Sequence, residues 1–161
     1  MYNKKSKIEL KKSLKRESFN RLTYSFYKYC FIDNPEDLRN KLFLDLIEQD
    51  ILGRIYVSKE GINAQISIPE HNVEDFKSYV HSINKFSDIK FKHAVEEGKS
   101  FLKLKILVRD EIVAYKVPEE SYDMNKTGVH LKPVDFNRSI KEKDAIVVDM
   151  RNYYESEVGR F

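Results

Sequence analysis

The sequence predicts an α+β domain in which two helices cover one face of a four-stranded antiparallel sheet. Two segments have apolar residues at three- and four-residue spacing, which is the pattern of an amphipathic helix. Four others are rich in aromatic and β-branched residues or alternate apolar with polar positions, as strands do. Along the chain the order is β-α-β-β-α-β. That order is typical of a ferredoxin-like, split-βαβ sandwich.

The first half of the domain is predicted from local chemistry. Residues 22–29 are rich in aromatic side chains that fit a pleated surface, and they predict the first strand. Asn34 is a suitable N-cap and Pro35 a suitable first residue for the helix that follows. Gly53 is expected to end that helix. Residues 54–57 then predict the second strand.

The second half follows a turn at residues 58–61. Residues 62–68 alternate apolar with polar side chains and predict a half-buried third strand. Asn72 is expected to cap the second helix, whose inward apolar residues are Val73, Phe76, Val80 and Ile83. Residues 89–95 predict the fourth strand. A further strand pair, 101–108 and 111–115, is expected around a turn at Arg109-Asp110.

The organisation of the whole chain is predicted in four parts. They are a basic arm (1–21), a ferredoxin-like, acylphosphatase-like domain (22–116), a linker rich in turn formers (117–128) and the start of an α/β domain (129–161). In the last part, a short helix is expected near 135–140, and residues 145–149 predict a strand buried on both faces. Such a strand needs neighbours for its backbone groups, so we expect residues 129–161 to open a domain rather than to complete one.

Positive charge is concentrated at the N-terminus. Residues 1–21 hold eight lysines and arginines against two glutamates, a balance of +6, which leaves −3 for the rest of a chain whose net charge is +3. A basic arm suits a phosphate backbone. A solubilising terminus would show the same charge, and composition alone does not separate the two.

Several functional classes are not favoured. Cys30 is the single cysteine, and it lies among aromatic residues, as a small packed hydrophobe does. The four histidines lack metal-ligand spacing, so no metal site is expected. Phosphate loops, GxGxxG, HExxH and GxSxG motifs are absent. No apolar run approaches the ~20 residues of a membrane span, and we expect a cytoplasmic protein without membrane contact.

Two activities known on this kind of fold are also not favoured. An RNA-recognition sheet carries stacking rings on its third strand, and residues 62–68 contain no aromatic. The rings of the first strand fall on both faces, so at least half of them belong to the core. Acylphosphatase chemistry needs a loop whose amides converge on an anion, and residues 30–35 contain no glycine.

Two stretches carry candidate functional residues. Residues 53–69 place polar and charged side chains around one hairpin, and these could bind a nucleotide or form an ordinary polar face. They are Arg54, Lys59, Glu60, Asn63 and Gln65. In the second stretch, Asp149 is followed two residues later by Arg151, and we interpret the two as a structural pair that holds the next loop.

These stretches resemble a known family. Residues 25–29, 53–67 and 103–114 resemble the N-terminal domain of the rhodanese-related tRNA uridine hydroxylases, and residues 149–161 resemble the start of the rhodanese domain of that family. The resemblance runs from about residue 22 to the end of the chain. It implies an enzyme that hydroxylates the wobble uridine of tRNA at C5 with molecular oxygen as co-substrate, and no bound cofactor is expected.

The resemblance also implies where the chemistry lies. The essential cysteine of the family is expected beyond Phe161, so no catalytic residue is assigned in this chain, and the chain alone is expected to be inactive. The alternatives are a non-catalytic module that binds RNA or protein and a sulfurtransferase accessory. No oligomeric state is predicted.

The role that the resemblance implies for this chain is contact with tRNA. The basic arm, Arg54, Lys59 and Arg109 are expected to contact phosphates of the anticodon stem. Asn63 and Gln65 are expected to lie near the base.

Overall fold

The structure is a computed structural model that describes residues 5–94, 101–112, 121–123, 126, 128–151 and 153–159. It forms two compact units, Met1–Met124 and Asn125–Phe161. The helices are α1 (Lys7–Lys15), α2 (Pro35–Glu48), α3 (Val73–Ser82), α4 (Pro133–Ser139) and α5 (Tyr153–Ser156). The strands are β1 (Arg21–Tyr29), β2 (Leu52–Ser58), β3 (Gly61–Pro69), β4 (Lys92–His93) and β5 (Leu104–Val108).

The predicted order β-α-β-β-α-β is confirmed as β1-α2-β2-β3-α3-β4. The sheet has the spatial order β4-β1-β3-β2-β5. Its first four strands are antiparallel, and β5 is added parallel to β2. Among the described residues, no helix is long and apolar enough to cross a membrane.

The core lies between one face of the sheet and helices α2 and α3. Alternation along the strands brings Phe26, Ala64, Ile55 and Ile106 into one cross-strand row, and all four are buried. Leu42 and Leu46 of α2, with Phe76 and Val80 of α3, belong to the same buried cluster. Both helices therefore cover this face, as predicted. Neither α2 nor α3 covers the opposite face of the sheet.

The end of α2 differs from the prediction. Asn34 caps the start, where its side chain accepts a hydrogen bond from the Asp37 amide at 3.2 Å. The helix ends at Glu48, and the residue with left-handed backbone is Asp50, at φ 54°. Gly53 is not the stop but a member of β2. An aspartate tolerates the left-handed region better than most residues, so the turn does not need the glycine.

The predicted cap of α3 is also wrong in its chemistry, although the helix does begin at Val73. Asn72 makes no side-chain capping bond. Its amide instead donates a 3.0 Å hydrogen bond to the carbonyl of Gln49, beyond the end of α2. The side chain that the local pattern predicts as a helix cap therefore makes a contact with a segment far away in the sequence.

The later strands are shorter or paired differently than predicted. The fourth strand is reduced to Lys92–His93, while Ile89 is buried ahead of it. Within the segment predicted at 101–108, residues Leu104–Val108 form β5, which pairs parallel with β2. Residues 113–115 of the expected partner strand, 111–115, lie outside the described residues.

The N-terminal segment is helical over α1, and a capping box joins Ser6 and Glu9 at its start. Leu14 of this helix is only 6% exposed. Arg21, counted with the basic arm, belongs to β1 and is buried, with its guanidinium 2.7 Å from Glu17 and 2.8 Å from the Asp50 carbonyl. Its charge is therefore neutralised inside the fold by Glu17, and since Glu17 also belongs to residues 1–21, the balance of +6 for that segment does not change.

The second unit contains the short helix expected near 135–140, as α4. The strand predicted at 145–149 is not formed, and Ile146 is 89% exposed there. No strand of this unit lies within the described residues 128–151 and 153–159. A parallel strand without a neighbour cannot pair its backbone groups, which accounts for the difference.

Candidate nucleic-acid interface

The face of the sheet opposite α2 and α3 carries a row of polar and cationic side chains. Strand register places five residues side by side, one from each strand. In spatial order they are Lys92, Ser25, Gln65, Arg54 and Lys105. We call these five residues the basic row. Gln65, Arg54, Lys92 and Lys105 are all exposed.

A second row lies two residues further along the strands on the same face. Asn63 of β3 lies opposite Tyr27 of β1 on one side and opposite Tyr56 of β2 on the other. We call these three residues the tyrosine row. Tyr27 is 55% exposed, and Asn63 and Tyr56 are half-buried. Because side chains alternate between faces, this row borders the basic row directly.

Each ring of the tyrosine row has a cation beside it. The Nζ atom of Lys92 lies 5.7 Å from the ring centroid of Tyr27. The Cζ atom of Arg109 lies 5.7 Å from the ring centroid of Tyr56. Both distances are within the range of a cation–π attraction. The open face therefore combines positive charge with aromatic surface, the two features by which single-stranded nucleic acids are bound.

The structure brings together four of the five hairpin and strand residues expected to contact RNA. Arg54 lies opposite Gln65, Asn63 lies in the next row, and Arg109 packs over Tyr56 beside it. Lys59 is exposed in the turn between β2 and β3 and belongs to neither row.

Sequence reasoning missed the two tyrosines and two of the cations. Tyr56 is two positions after Arg54, so alternation alone would have placed both on one face. The third strand contains no aromatic residue, and the rings lie on the strands at either side of it. Lys92 and Lys105 could not be assigned to this face before the pairing of β4 and β5 was known.

Two amides of the loop after β1 are not available to an anion. The Cys30 amide donates to the Glu60 carbonyl at 3.0 Å, and the Ile32 amide donates to the Lys59 carbonyl at 2.8 Å. Both amides are thus used within the fold. Burial also raises the pKa of the Cys30 thiol, which opposes formation of a reactive thiolate.

In the second unit, Asp149 and Arg151 lie in contact. The Arg151 guanidinium donates to both carboxylate oxygens, at 2.9 Å and 2.6 Å, and also to the Gly159 carbonyl at 2.8 Å. The hydrogen bonds from the Arg151 side chain and amide lower the pKa of Asp149 to about 2. The pair closes the loop between residues 149 and 159. Within the described parts of both units, no group of three His, Cys, Asp or Glu residues could hold a metal ion.

The fold and this face define a split-βαβ domain with a basic and aromatic open surface. Residues 21–112 match the UPF0176 acylphosphatase like domain, and the chain belongs to that family. The resemblance seen in the sequence is confirmed by curated relatives that carry the name tRNA uridine(34) hydroxylase. The chain is 43% identical to the protein of Leptospira interrogans, 44% to that of Photorhabdus laumondii and 41% to that of Salmonella typhi.

These matches include all of this chain but only part of the relatives. They cover 100% of the chain and 44%, 46% and 47% of the three proteins. The chain thus spans less than half the length of these curated relatives. Among solved structures, full-length HypF in a phosphate- and nucleotide-bound form has a TM-score of 0.46 and 16% sequence identity to this chain. The match covers 60% of this chain and 13% of the HypF chain. That similarity is too weak to support an inference.

Proposed function

We propose that this chain is the tRNA-engaging front part of an enzyme that hydroxylates the wobble uridine of tRNA at C5. The name tRNA uridine(34) hydroxylase, carried by relatives at 41–44% identity, supports the substrate and the reaction. This chain spans only 44–47% of the length of those relatives. We therefore assign the binding of substrate to this chain and the chemistry to the longer protein.

The basic row is the observation that carries this proposal. Arg54 and Lys105 lie opposite each other on neighbouring strands, which are about 4.8 Å apart in a sheet. Neither side chain forms an ion pair within the described residues, so neither charge is neutralised there by a carboxylate. Adjacent cations of this kind suit the phosphates of an RNA backbone, which position the nucleic acid without reading its sequence.

The individual roles follow from the chemistry of each side chain. Arg54, Lys59 and Arg109 contact phosphates of the anticodon region. The carboxamides of Asn63 and Gln65 offer both donors and acceptors and lie near the base. Helix α1 adds cationic side chains that strengthen the attraction to RNA over a longer range.

The proposed reaction takes molecular oxygen as its second substrate, in the cytoplasm, where tRNA is modified. We assign no residue of this chain to that chemistry. The raised pKa of Cys30 is unfavourable for a nucleophile, and the family cysteine is expected beyond Phe161. The chain alone should therefore leave unmodified tRNA unchanged in air, and detection of 5-hydroxyuridine by mass spectrometry would overturn this assignment.

A salt titration tests the binding role. The chain should bind unmodified tRNA with a log–log salt slope that flattens by about 0.7–0.9 for each phosphate contact removed. Arg54→Gln and Lys105→Gln should each flatten it. Lys41→Gln, an exposed lysine on α2, is the matched control and should not. Equal salt slopes for all three variants would show that the open face does not contact the phosphates of the substrate.

A further inference from the structure

We propose that the tyrosine row is a binding site for unpaired RNA bases, which stack on Tyr27 and on Tyr56 while Asn63 pairs with the edge of one of them. This inference rests on the proposed function and narrows its ligand from tRNA in general to a single-stranded segment. Paired stems present phosphates and a shallow groove, whereas only unpaired bases can lie flat on an aromatic ring.

Exposure of the rings is the first support. Tyr27 is 55% exposed on the open face of β1, whereas the neighbouring Phe26, on the other face of the same strand, is 4% exposed. Tyr27 and Tyr56 are separated by one strand, so their attachment points are about 10 Å apart. Two stacking surfaces are thus offered on either side of Asn63.

Asn63 is the second support. Its carboxamide carries donors and an acceptor, and its side chain makes no hydrogen bond to any described residue. The side chain is half-buried between two tyrosines, where water has restricted access. An amide in this setting can pair with the edge of a base, which presents donors and acceptors in the same plane.

The charges favour RNA over a second copy of this chain. Lys92 and Arg109 lie over the two rings, and Arg54 and Lys105 occupy the adjoining row. Neither row contains a carboxylate. A second copy of this chain would bring like charges together on this face, which is unfavourable. A stacked nucleotide instead brings its phosphate to the cations that surround the ring.

The test compares two RNAs of equal length with the full 161-residue chain. One is an anticodon stem-loop, and the other is a fully paired duplex with the same phosphate count. Tyr27→Leu and Tyr56→Leu should each weaken stem-loop binding about 5- to 150-fold, the range for loss of one stacked base. Duplex binding should not change. Asn63→Ala should weaken binding and reduce discrimination among bases in the loop.

The controls separate stacking from charge and from folding. Phe31→Leu removes a ring that is 60% exposed and has Lys85 5.9 Å from its centroid, but lies outside the tyrosine row, so it should have no effect. Tyr27→Phe keeps the stacking surface and should restore binding. The tyrosine variants should leave the salt slope unchanged, whereas Arg54→Gln flattens it.

The outcomes distinguish this inference from the proposed function. If stem-loop binding depends on salt and on Arg54 but Tyr27→Leu behaves like Phe31→Leu, the stacking site is wrong and the proposed function survives. If the unaltered chain binds neither RNA, both fail. If Tyr27→Leu and Tyr56→Leu alter the oligomeric state in analytical ultracentrifugation and leave RNA affinity unchanged, the face is a protein interface, and the inference is overturned.

Discussion

The carboxylate of Glu60 accepts a 2.6 Å hydrogen bond from the backbone amide of Ile112, which is 52 residues away in the chain. Its second oxygen accepts a 3.0 Å hydrogen bond from the Tyr122 hydroxyl. Glu60 lies in the turn between β2 and β3. Its side chain therefore joins Ile112 and Tyr122, both in the segment that follows β5, to this hairpin.

Replacing Glu60 with alanine should therefore loosen the segment after β5. The change removes both acceptors and leaves the Ile112 amide, in a residue only 6% exposed, without its partner. Loss of a hydrogen bond to a charged group lowers the free energy of unfolding by about 1.5–3 kcal/mol. Denaturant unfolding measures this loss, and hydrogen exchange should show faster exchange of the Ile112 amide.

Asp110→Ala is the matched control, because Asp110 is an exposed carboxylate near the same segment. It should change the free energy of unfolding by less than about 0.5 kcal/mol. Tyr122→Phe removes one of the two bonds and should have an intermediate effect. Equal stability of the Glu60→Ala and Asp110→Ala proteins would show that the Glu60 contacts do not hold the segment.

Gly61 cannot be replaced without disturbing the hairpin. Its φ is 143°, and a Cβ atom there would lie 2.0 Å from the backbone carbonyl oxygen of Lys28. Both the left-handed backbone and the clash with a neighbouring strand oppose any side chain. Gly61→Ala should lower the free energy of unfolding by more than about 2 kcal/mol, measured by denaturant titration.

Gly128→Ala is the comparison for Gly61→Ala. Among the described residues outside its two chain neighbours, no atom lies within 4 Å of a Cβ at Gly128, so this change should be nearly neutral. A Gly61→Ala protein as stable as the original would mean that β1 and β3 can separate at this point without cost, contrary to their close pairing.

The elements that were predicted well are those set by local pattern. Asn34 and Pro35 mark the start of α2, and alternation along β3 separates buried Ile66 from exposed Gln65. Here the signal lies within a few residues of the element. The strand expected at 145–149 failed because its stability depends on neighbouring strands, which no local pattern supplies.

The candidate site was predicted only in part for the same reason. Arg54, Asn63 and Gln65 belong to one hairpin, so their proximity follows from a short turn. Tyr27 joins them through the pairing of β1 with β3, and Lys105 through the parallel pairing of β5 with β2. Contacts of that kind depend on the register of strands far apart in sequence, and only the folded sheet reveals them.

A hydrogen bond between side chains joins α3 to α2. The Tyr79 hydroxyl on α3 donates a 2.6 Å hydrogen bond to the Asp45 carboxylate on α2. Burial, with the contribution of Asp45, raises the pKa of Tyr79 above its ordinary value. Tyr79→Phe keeps the ring and removes this bond, and it should lower the free energy of unfolding at neutral pH by about 1–3 kcal/mol.

The difference between the original protein and Tyr79→Phe should depend on pH at the alkaline end. Because the folded pKa is raised, the stabilisation is complete below the unfolded value of about 10 and is lost as the pH rises above it. Stability of the two proteins should therefore converge at high pH. A constant difference across that range would show that the phenol proton is not held by Asp45.

The Asp149–Arg151 pair should be visible as an unusually acidic carboxyl group. With a folded pKa of about 2, the closed loop is fully held above the ordinary aspartate value and opens as the pH falls towards 2. NMR titration of the Asp149 side chain should show a midpoint near 2, and Arg151→Met should move it up towards the ordinary value, since the guanidinium is the largest cause of the shift. Arg138→Met, which removes the comparable 2.5 Å pair with Asp135, should leave the Asp149 midpoint unchanged. A midpoint for Asp149 that is the same with and without Arg151 would show that the two side chains do not pair in solution.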